Sequence, residues 1–420
     1  MKARERIQTA LNHKEPDILP VDFGGGFQTG IAVSIVYKLR QALGLDKEGT
    51  PVKVVEPYQM LGEIKPDLQD ALGLDCVSVA GTGTMFGFSQ KDWKEWTMHD
   101  GTPVLAAGLF NTEPEENGDI LQYPEGDKSV GPCARMPEGG HFFDAITRQD
   151  PIEEDKLDPE DNLEEFSIIS DEELAHYKQE ADRLYAETDR ALFCSFGGLT
   201  FGDIALVPAT WLKHPKGIRD LEEWYISTVI RKDYIKTVFD KQAEIAVENL
   251  KRLYEAVGDK ITVIQTNGTD FGTQNGPFLS SEQYRDLYLP YQKRVHDWIH
   301  ENTPWKTFMH CCGGIKPLIN DIIDAGFDIL NPVQCSAADM DAQILKKKYG
   351  DRITFWGGGV DTQKTLPFGT PAEVKEEVKQ RIEIFSQGGG FVFCTIHNIV
   401  ANIPTDNLLA MFEVIKQYRP

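Results

Sequence analysis

The chain has 420 residues, with 66 acidic side chains against 43 basic ones and a formal net charge of −23. So acidic a surface excludes nucleic acid and anionic membrane as partners, because both need clustered Lys and Arg, and no stretch reaches the ~18 unbroken apolar residues of a membrane span. The 41% of hydrophobic residues is ample for a large core, and the seven cysteines are odd in number and scattered, Cys311-Cys312 apart. With charges but no apolar signal core in Met1-Lys2-Ala3-Arg4-Glu5-Arg6, the chain is expected to be cytoplasmic, its thiols free, metal-bound or catalytic rather than paired.

In chain order, a helix is predicted over residues 4–12 and a strand over 18–23. That strand ends in Gly24-Gly25-Gly26, a run that permits a tight turn or close approach to a ligand but lacks the spacing of a nucleotide loop. Helices follow over 31–45 and 58–72, with a second strand over 76–80. Residues 81–165 read as one insertion, a hairpin within 92–110 that turns at Asp100-Gly101 and then an acidic, Pro- and Gly-rich loop. A charged surface helix is expected over 171–192.

From there the rhythm is regular. Strands at 191–196 (followed by a Gly197-Gly198 loop), 261–265, 307–311, 328–332, 353–356 and 391–394 alternate with helices. The helices fall within 211–257 and at 281–301, 316–325, 342–349, 371–387 and 405–417. Eight strands, each followed by helix, predict an α/β fold of one domain over 1–420, a (β/α)8 TIM barrel with a large insertion after strand 2. A doubly wound open sheet fits less well, since no nucleotide fingerprint follows the first strand. The insertion at 81–165 is expected to cap the barrel mouth.

Loops after barrel strands gather on one face, where chemistry sits. Strand 5 ends there in His310-Cys311-Cys312-Gly313. Residues two apart on an extended segment point the same way, so His310 and Cys312 converge while Cys311 turns elsewhere. An imidazole beside a thiolate suggests zinc; the plainer reading is a buried strand end with cysteine as a small hydrophobe. The neighbouring strand ends are rich in ligand and hydrogen-bonding groups. Strand 8 offers Cys394 or His397 as a third metal ligand, and Cys335 is a further option. Asp270 is an oxygen ligand or a general base. Asp270, Gln274, Asn331 and Gln334 are the candidate catalytic residues, and Asn267, Phe27 and Trp356 the candidate substrate contacts. His296 and His300 are four apart on a predicted helix, but no glutamate completes a zincin motif. No Gly-x-Ser-x-Gly elbow supports a serine hydrolase.

Several stretches together carry a resemblance. They are Arg4-Glu5-Arg6, Ala10-Leu11-Asn12-His13-Lys14-Glu15-Pro16-Asp17, Pro20-Val21-Asp22, Leu72-Gly73-Leu74-Asp75 and Asp270-Phe271-Gly272-Thr273-Gln274. His310-Cys311-Cys312-Gly313, Asn331-Pro332-Val333-Gln334, Trp356-Gly357-Gly358, Gly388-Gly389-Gly390-Phe391 and His397-Asn398-Ile399 complete the set. The chain resembles the uroporphyrinogen decarboxylase superfamily, which implies a (β/α)8 barrel. True decarboxylases of that group are metal-free and carry an arginine-bearing N-terminal segment for substrate carboxylates. Residues 22–28 here read Asp-Phe-Gly-Gly-Gly-Phe-Gln, without arginine. The chain is more similar to the cobamide-dependent methyltransferases, whose zinc ligands are His-x-Cys and a later cysteine. His310 and Cys312 match, and His397 rather than Cys394 stands opposite the later cysteine. That resemblance implies zinc, a corrinoid (cobalamin) carried by a partner protein, and a small methyl donor or acceptor such as a methoxy compound or thiol. Two other expectations stand beside it, a metal-free decarboxylase of a smaller acid and a non-catalytic barrel with structural zinc.

Overall fold

The structure is a computed structural model that describes residues 1–164, 166–196 and 199–419. Its centre is a seven-stranded sheet in the order Phe391–Val392, Thr354–Trp356, Ile329–Asn331, Lys306–His310, Ile261–Asn267, Ala191–Ser195, Cys76–Ala80. All neighbours are parallel. Parallel strands joined through helices are covered on both faces and read as continuous apolar runs; Ile261–Asn267 is buried along its whole length. The sheet curls. Val21 makes a parallel bridge to Phe393 at one edge, and its carbonyl accepts from the Asp75 N–H just before Cys76–Ala80 at the other. This α/β architecture is consistent with a TIM-like barrel.

The expected strand at 18–23 is thus reduced to one bridging residue. Pro20 has no N–H to donate, and the Asp22 side chain turns back to accept from the Gly25 N–H at 2.8 Å. The N-terminal helix, Ala3–Leu11, is held to this edge by charge. Arg6 and Arg419 both bond the buried carboxylate of Asp75, at 2.5 and 2.7 Å, and Asp75 also accepts from the Val21 N–H at 2.9 Å.

Inside the sheet Phe193, Phe308 and Trp356 pack edge to face, with ring centroids 4.8 to 6.0 Å apart, a filled interior and not a pore. The covering helices are amphipathic: Lys232–Val257 buries Ile235, Val238, Phe239, Leu250 and Leu253. Ser280 and Thr370 cap their helices with capping boxes. Among the described residues no helix is long and apolar enough to cross a membrane.

Four other expectations are corrected. The helix expected over 58–72 is confined to Pro66–Leu72, and Val52–Glu56 and Leu61–Gly62 before it are strands. Within the expected helix, Leu61–Gly62 pairs antiparallel with Val54 and Glu56, and that pairing overrides the local helical pattern. The charged helix ends at Glu187 instead of continuing to 192. Residues 211–220 are not helical, and the segment to 257 divides into Leu221–Ile230 and Lys232–Val257. The 281–301 helix breaks at Tyr288, just before Pro290.

The Asp100-Gly101 hairpin is present as Lys94–Thr97 against Pro103–Ala106, with Gly101 at φ 84°. The following stretch is more ordered than a loop, since Ile120–Gln122, Ala134–Met136 and Asp144–Ala145 form a three-stranded sheet. The Gly197-Gly198 loop and Glu165 lie outside the described residues.

Candidate metal centre

Lys306–His310 alternates as a strand should. Thr307 bonds outward to Asp328, while Phe308 enters the aromatic interior and His310 ends the inward row. The chain then turns at Gly313, which sits at φ 91° and whose absent Cβ would collide with the Gly272 backbone. Only glycine fits a left-handed position against another backbone. The turn is fixed by two side chains: Gln334 Oε1 accepts from the Gly313 N–H at 2.7 Å, and Asp270 Oδ1 accepts from the Cys312 N–H at 2.7 Å.

This arrangement brings His310, Cys312 and His397 together, with their potential ligand atoms all within 4.8 Å of one another. Zinc bonded to thiolate at about 2.3 Å and to imidazole at about 2.0 Å would hold those two atoms about 3.5 Å apart in a tetrahedron. Cys312 Sγ and His310 Nε2 are 3.5 Å apart, so the donor set fits zinc in both chemistry and spacing. A set of three protein donors, as gathered here among the described residues, is the number a catalytic zinc uses, whereas structural zinc takes four.

The supporting contacts favour the same use. His310 Nδ1 bonds Asn331 Oδ1 at 2.7 Å. An amide oxygen only accepts, so Nδ1 carries the proton and the Nε2 lone pair faces Cys312. Burial pushes both imidazoles down to about 4, with Asn331 opposing the shift at His310 and the neighbouring His310 adding to it at His397. Both rings are therefore neutral and able to ligate at pH 7. The Cys312 thiol is held well above its ordinary value by burial and by Asp270, so it ionises only beside a cation. His397 has φ 67°, a left-handed conformation costly for a residue with a Cβ. Its carbonyl is tied to Thr395 Oγ1 at 2.5 Å.

The other candidates take distinct places. Cys394 is fully buried, donates to the Thr395 carbonyl and lies 3.9 Å from Asn331 Nδ2; it is not gathered into the cluster. Cys311 turns away and accepts from the Phe271 N–H. Cys335 is also outside the cluster. Asn267 is buried and donates to the carbonyls of His310 and Thr269, bracing the strand end. Trp356 lies in the floor, its Nε1–H donating to Asp22 at 3.0 Å. Phe27, half-buried, opens a short helical turn, Phe27–Thr29. Gln274 is exposed on a small hairpin and is not brought to the cluster. His296 is a core residue bonded to Thr266 and the Ala325 carbonyl, and His300 pairs with Asp328 on the surface.

Sequence reasoning missed Asp203. It follows the third strand in a loop pinned to the site by Thr269 Oγ1, which donates to the Phe201 carbonyl. A Cβ on Gly268, two residues before Asp270, would collide with Asp203 Oδ2, so the carboxylate lies against that segment. Burial, with Asp270 adding, pushes Asp203 up to about 7. Burial also raises Asp270, against the opposing Cys312 N–H and His397. Among the described residues, no lysine or arginine acts on either carboxylate. An aspartate just beyond a predicted strand end was the available signal.

The profile of the uroporphyrinogen decarboxylase (URO-D) family matches residues 209–418, half of the chain. The chain belongs to this family. Among curated URO-D relatives, the uroporphyrinogen decarboxylase of Chlorobaculum tepidum is 25% identical over 142 residues, covering 33% of this chain and 38% of that protein. The enzyme of Methylococcus capsulatus is 23% identical over 193 residues, 44% of this chain and 52% of that protein. The chain therefore spans about two fifths to one half of the length of these relatives. Among solved structures, a methyltransferase from Methanosarcina mazei aligns over 100% of both chains with a TM-score of 0.56 and 16% identity, a likeness of fold. The matched URO-D region contains all three clustered side chains.

Proposed function

We propose that this URO-D family chain is a zinc-dependent methyltransferase. It moves a methyl group between a small methylated substrate, a methoxy compound or thiol, and a corrinoid carried by a partner protein in the cytoplasm. The observation that carries the reading is the convergence of His310, Cys312 and His397 at the strand ends of this fold. The likeness of fold to a methyltransferase supports it. In the same reading the curled sheet closes as an eight-strand (β/α)8 barrel through Val21, and residues 81–165 cap its mouth.

His310, Cys312 and His397 would hold the zinc. When bound, zinc supplies Lewis-acid activation, stabilising negative charge on a substrate sulfur or oxygen at neutral pH. Asn331 keeps the His310 lone pair directed at the site. Gln334 and Asp270 hold the Cys312-Gly313 turn. Asp270, with its pKa raised by burial, exchanges a proton with the substrate heteroatom that gains or loses the methyl group.

The test is methyl transfer to or from cobalamin by the purified protein, before and after chelation. Zinc-dependent transfer that is abolished in His310→Ala is expected. Protein without zinc, and an activity that His310→Ala leaves intact, would sink the reading and favour a metal-free decarboxylase. Against that alternative, residues 22–28 contain no arginine, and the carboxylates near the metal cluster would repel an acid substrate.

A further inference from the structure

A surface helix normally turns polar side chains to water and apolar ones to the core. Leu221–Ile230, in the connection after the strand Ala191–Ser195, departs from this. It buries Trp224 and Ser227, and its outward stripe is Glu222, Ile226, Val229 and Ile230, which share one helix face. Ile226, Val229 and Ile230 are 38%, 56% and 64% exposed. Phe278, 43% exposed, extends the stripe sideways. Its ring packs edge to face on Tyr225 with centroids 4.8 Å apart, and Tyr225 is the one-turn neighbour of Val229. Adjoining apolar side chains left in water with a polar border mark a surface that a partner covers.

The patch adjoins the metal cluster. Phe278 closes the small hairpin of Gly272–Thr273 and Gly276–Pro277, its N–H donating to the Phe271 carbonyl at 3.1 Å. That hairpin sits on the turn that carries Cys312. The Gly314 N–H donates to the Thr273 carbonyl at 2.9 Å, and a Cβ on Gly272 would collide with the Cys312 carbonyl. The described part of residues 81–165 leaves the patch uncovered, as its exposure shows.

Charge selects the occupant. The cations that follow the stripe in the chain are already engaged, Arg231 with Glu154 and Glu223, and Lys232 and Lys236 with Asp286. Glu222, on the stripe itself, and Glu282, four residues past Phe278, are exposed and form no ion pair among the described residues. An apolar centre with an acidic border is complementary to an apolar centre with a Lys and Arg border. A second copy of this chain, at a net charge of −23, would bring acid against acid.

We propose that the outward stripe of Leu221–Ile230, together with Phe278, is the docking surface for the corrinoid-carrying partner, which meets it through an apolar patch bordered by Lys and Arg. The identity of that partner rests on the methyl-transfer reading. His310 is buried, so a corrinoid fixed in a protein reaches the cluster only when that protein seats against the strand ends that the patch borders.

The experiment is isothermal titration of the full chain with the corrinoid proteins of the source organism, each purified with cobalamin bound. One of them is expected to bind the wild type, and Val229→Glu and Phe278→Glu should each weaken that binding about tenfold or more. Zinc content and melting temperature of both variants should stay at the wild-type values. Glu222→Lys should weaken binding at about 50 mM salt and lose most of that effect at about 0.5 M. Tyr185→Glu is the control. Tyr185 is exposed, packs on Arg4 before the start of Ala191–Ser195, and should leave binding unchanged. Absence of binding to any corrinoid protein overturns the proposal, as does binding that neither Val229→Glu nor Phe278→Glu weakens. A dimer of the chain in sedimentation that Val229→Glu dissociates assigns the patch to a second copy and overturns it too. Binding that the variants weaken, in a chain that transfers no methyl group, would defeat the methyltransferase reading alone. Zinc-dependent methyl transfer with binding that the variants leave intact would defeat this inference alone.

Discussion

Asn331 joins the floor of the sheet to the metal cluster, and Asn331→Ala tests that link. Its Oδ1 accepts from His310 Nδ1 at 2.7 Å and its Nδ2 donates to the Trp356 carbonyl at 2.8 Å, with the residue fully buried. The alanine leaves one donor and one acceptor unpaired, each costing about 1–3 kcal/mol, so roughly 2–6 kcal/mol of stability should be lost. It also frees His310 to adopt the other tautomer, in which Nε2 carries a proton and cannot ligate. Loss of such an outer partner lowers metal affinity by about 10–100-fold. Urea denaturation measures the first effect, and zinc titration against a competing chelator measures the second. Asn331→Asp keeps the acceptor and should retain affinity while losing stability, because its carboxylate cannot donate to Trp356. If Asn331→Ala binds zinc as tightly as the wild type, the tautomer argument is wrong.

Asp203 should make pH dependence run opposite to the usual carboxylate pattern. Its folded pKa of about 7 lies above the ordinary 3.8, so its contribution to stability is present below pH 4 and lost as pH rises to 7. At about 1.4 kcal/mol per pKa unit the loss is at most roughly 4 kcal/mol. Thermal melts of Asp203→Asn should match the wild type near pH 4 and exceed it at pH 8; equal melts at pH 8 would refute the unbalanced carboxylate. Gly313→Ala must displace the Gly272 backbone and strain a left-handed position, so a loss of more than about 1 kcal/mol with weakened zinc binding is expected; unchanged chelator competition would contradict it. Arg6→Met leaves Asp75 with fewer partners in a buried cluster and should cost about 3 kcal/mol in urea melts. Zinc stoichiometry should be unaltered, because Arg6 braces the sheet edge far from the cluster in sequence and contact; a change would mean that the edge shapes the metal site.

The regular part of the fold was legible because its strands are buried on both faces. Runs such as Ile261-Thr262-Val263-Ile264 and Phe391-Val392-Phe393 read as strands by composition, and the helices between them have a clear apolar stripe. Ala342–Tyr349 and Thr405–Gln417 have the predicted boundaries. The first third was less legible because long-range pairing decides it. Val52–Glu56 becomes a strand through Pro103–Ala106, some fifty residues away, and Val21 needs only one residue to join both sheet edges. His310 and Cys312 were readable from the two-residue strand period. Spacing could not choose between Cys394 and His397, since the choice depends on a left-handed backbone at His397 that turns its ring back toward His310, leaving the rings 5.1 Å apart. Asp203 comes from a separate segment, and only the folded chain brings it against Gly268, next to Asp270 in the chain.

The central claim is that His310, Cys312 and His397 hold a metal ion. Zinc-edge X-ray absorption on the purified chain, with Cys394→Ala and His397→Ala measured alongside, tests it most directly. One sulfur and two imidazole ligands in the wild type and in Cys394→Ala, with loss of an imidazole or of the metal in His397→Ala, is the predicted result. A second sulfur in the wild type that disappears in Cys394→Ala, or a chain that binds no zinc, would contradict it.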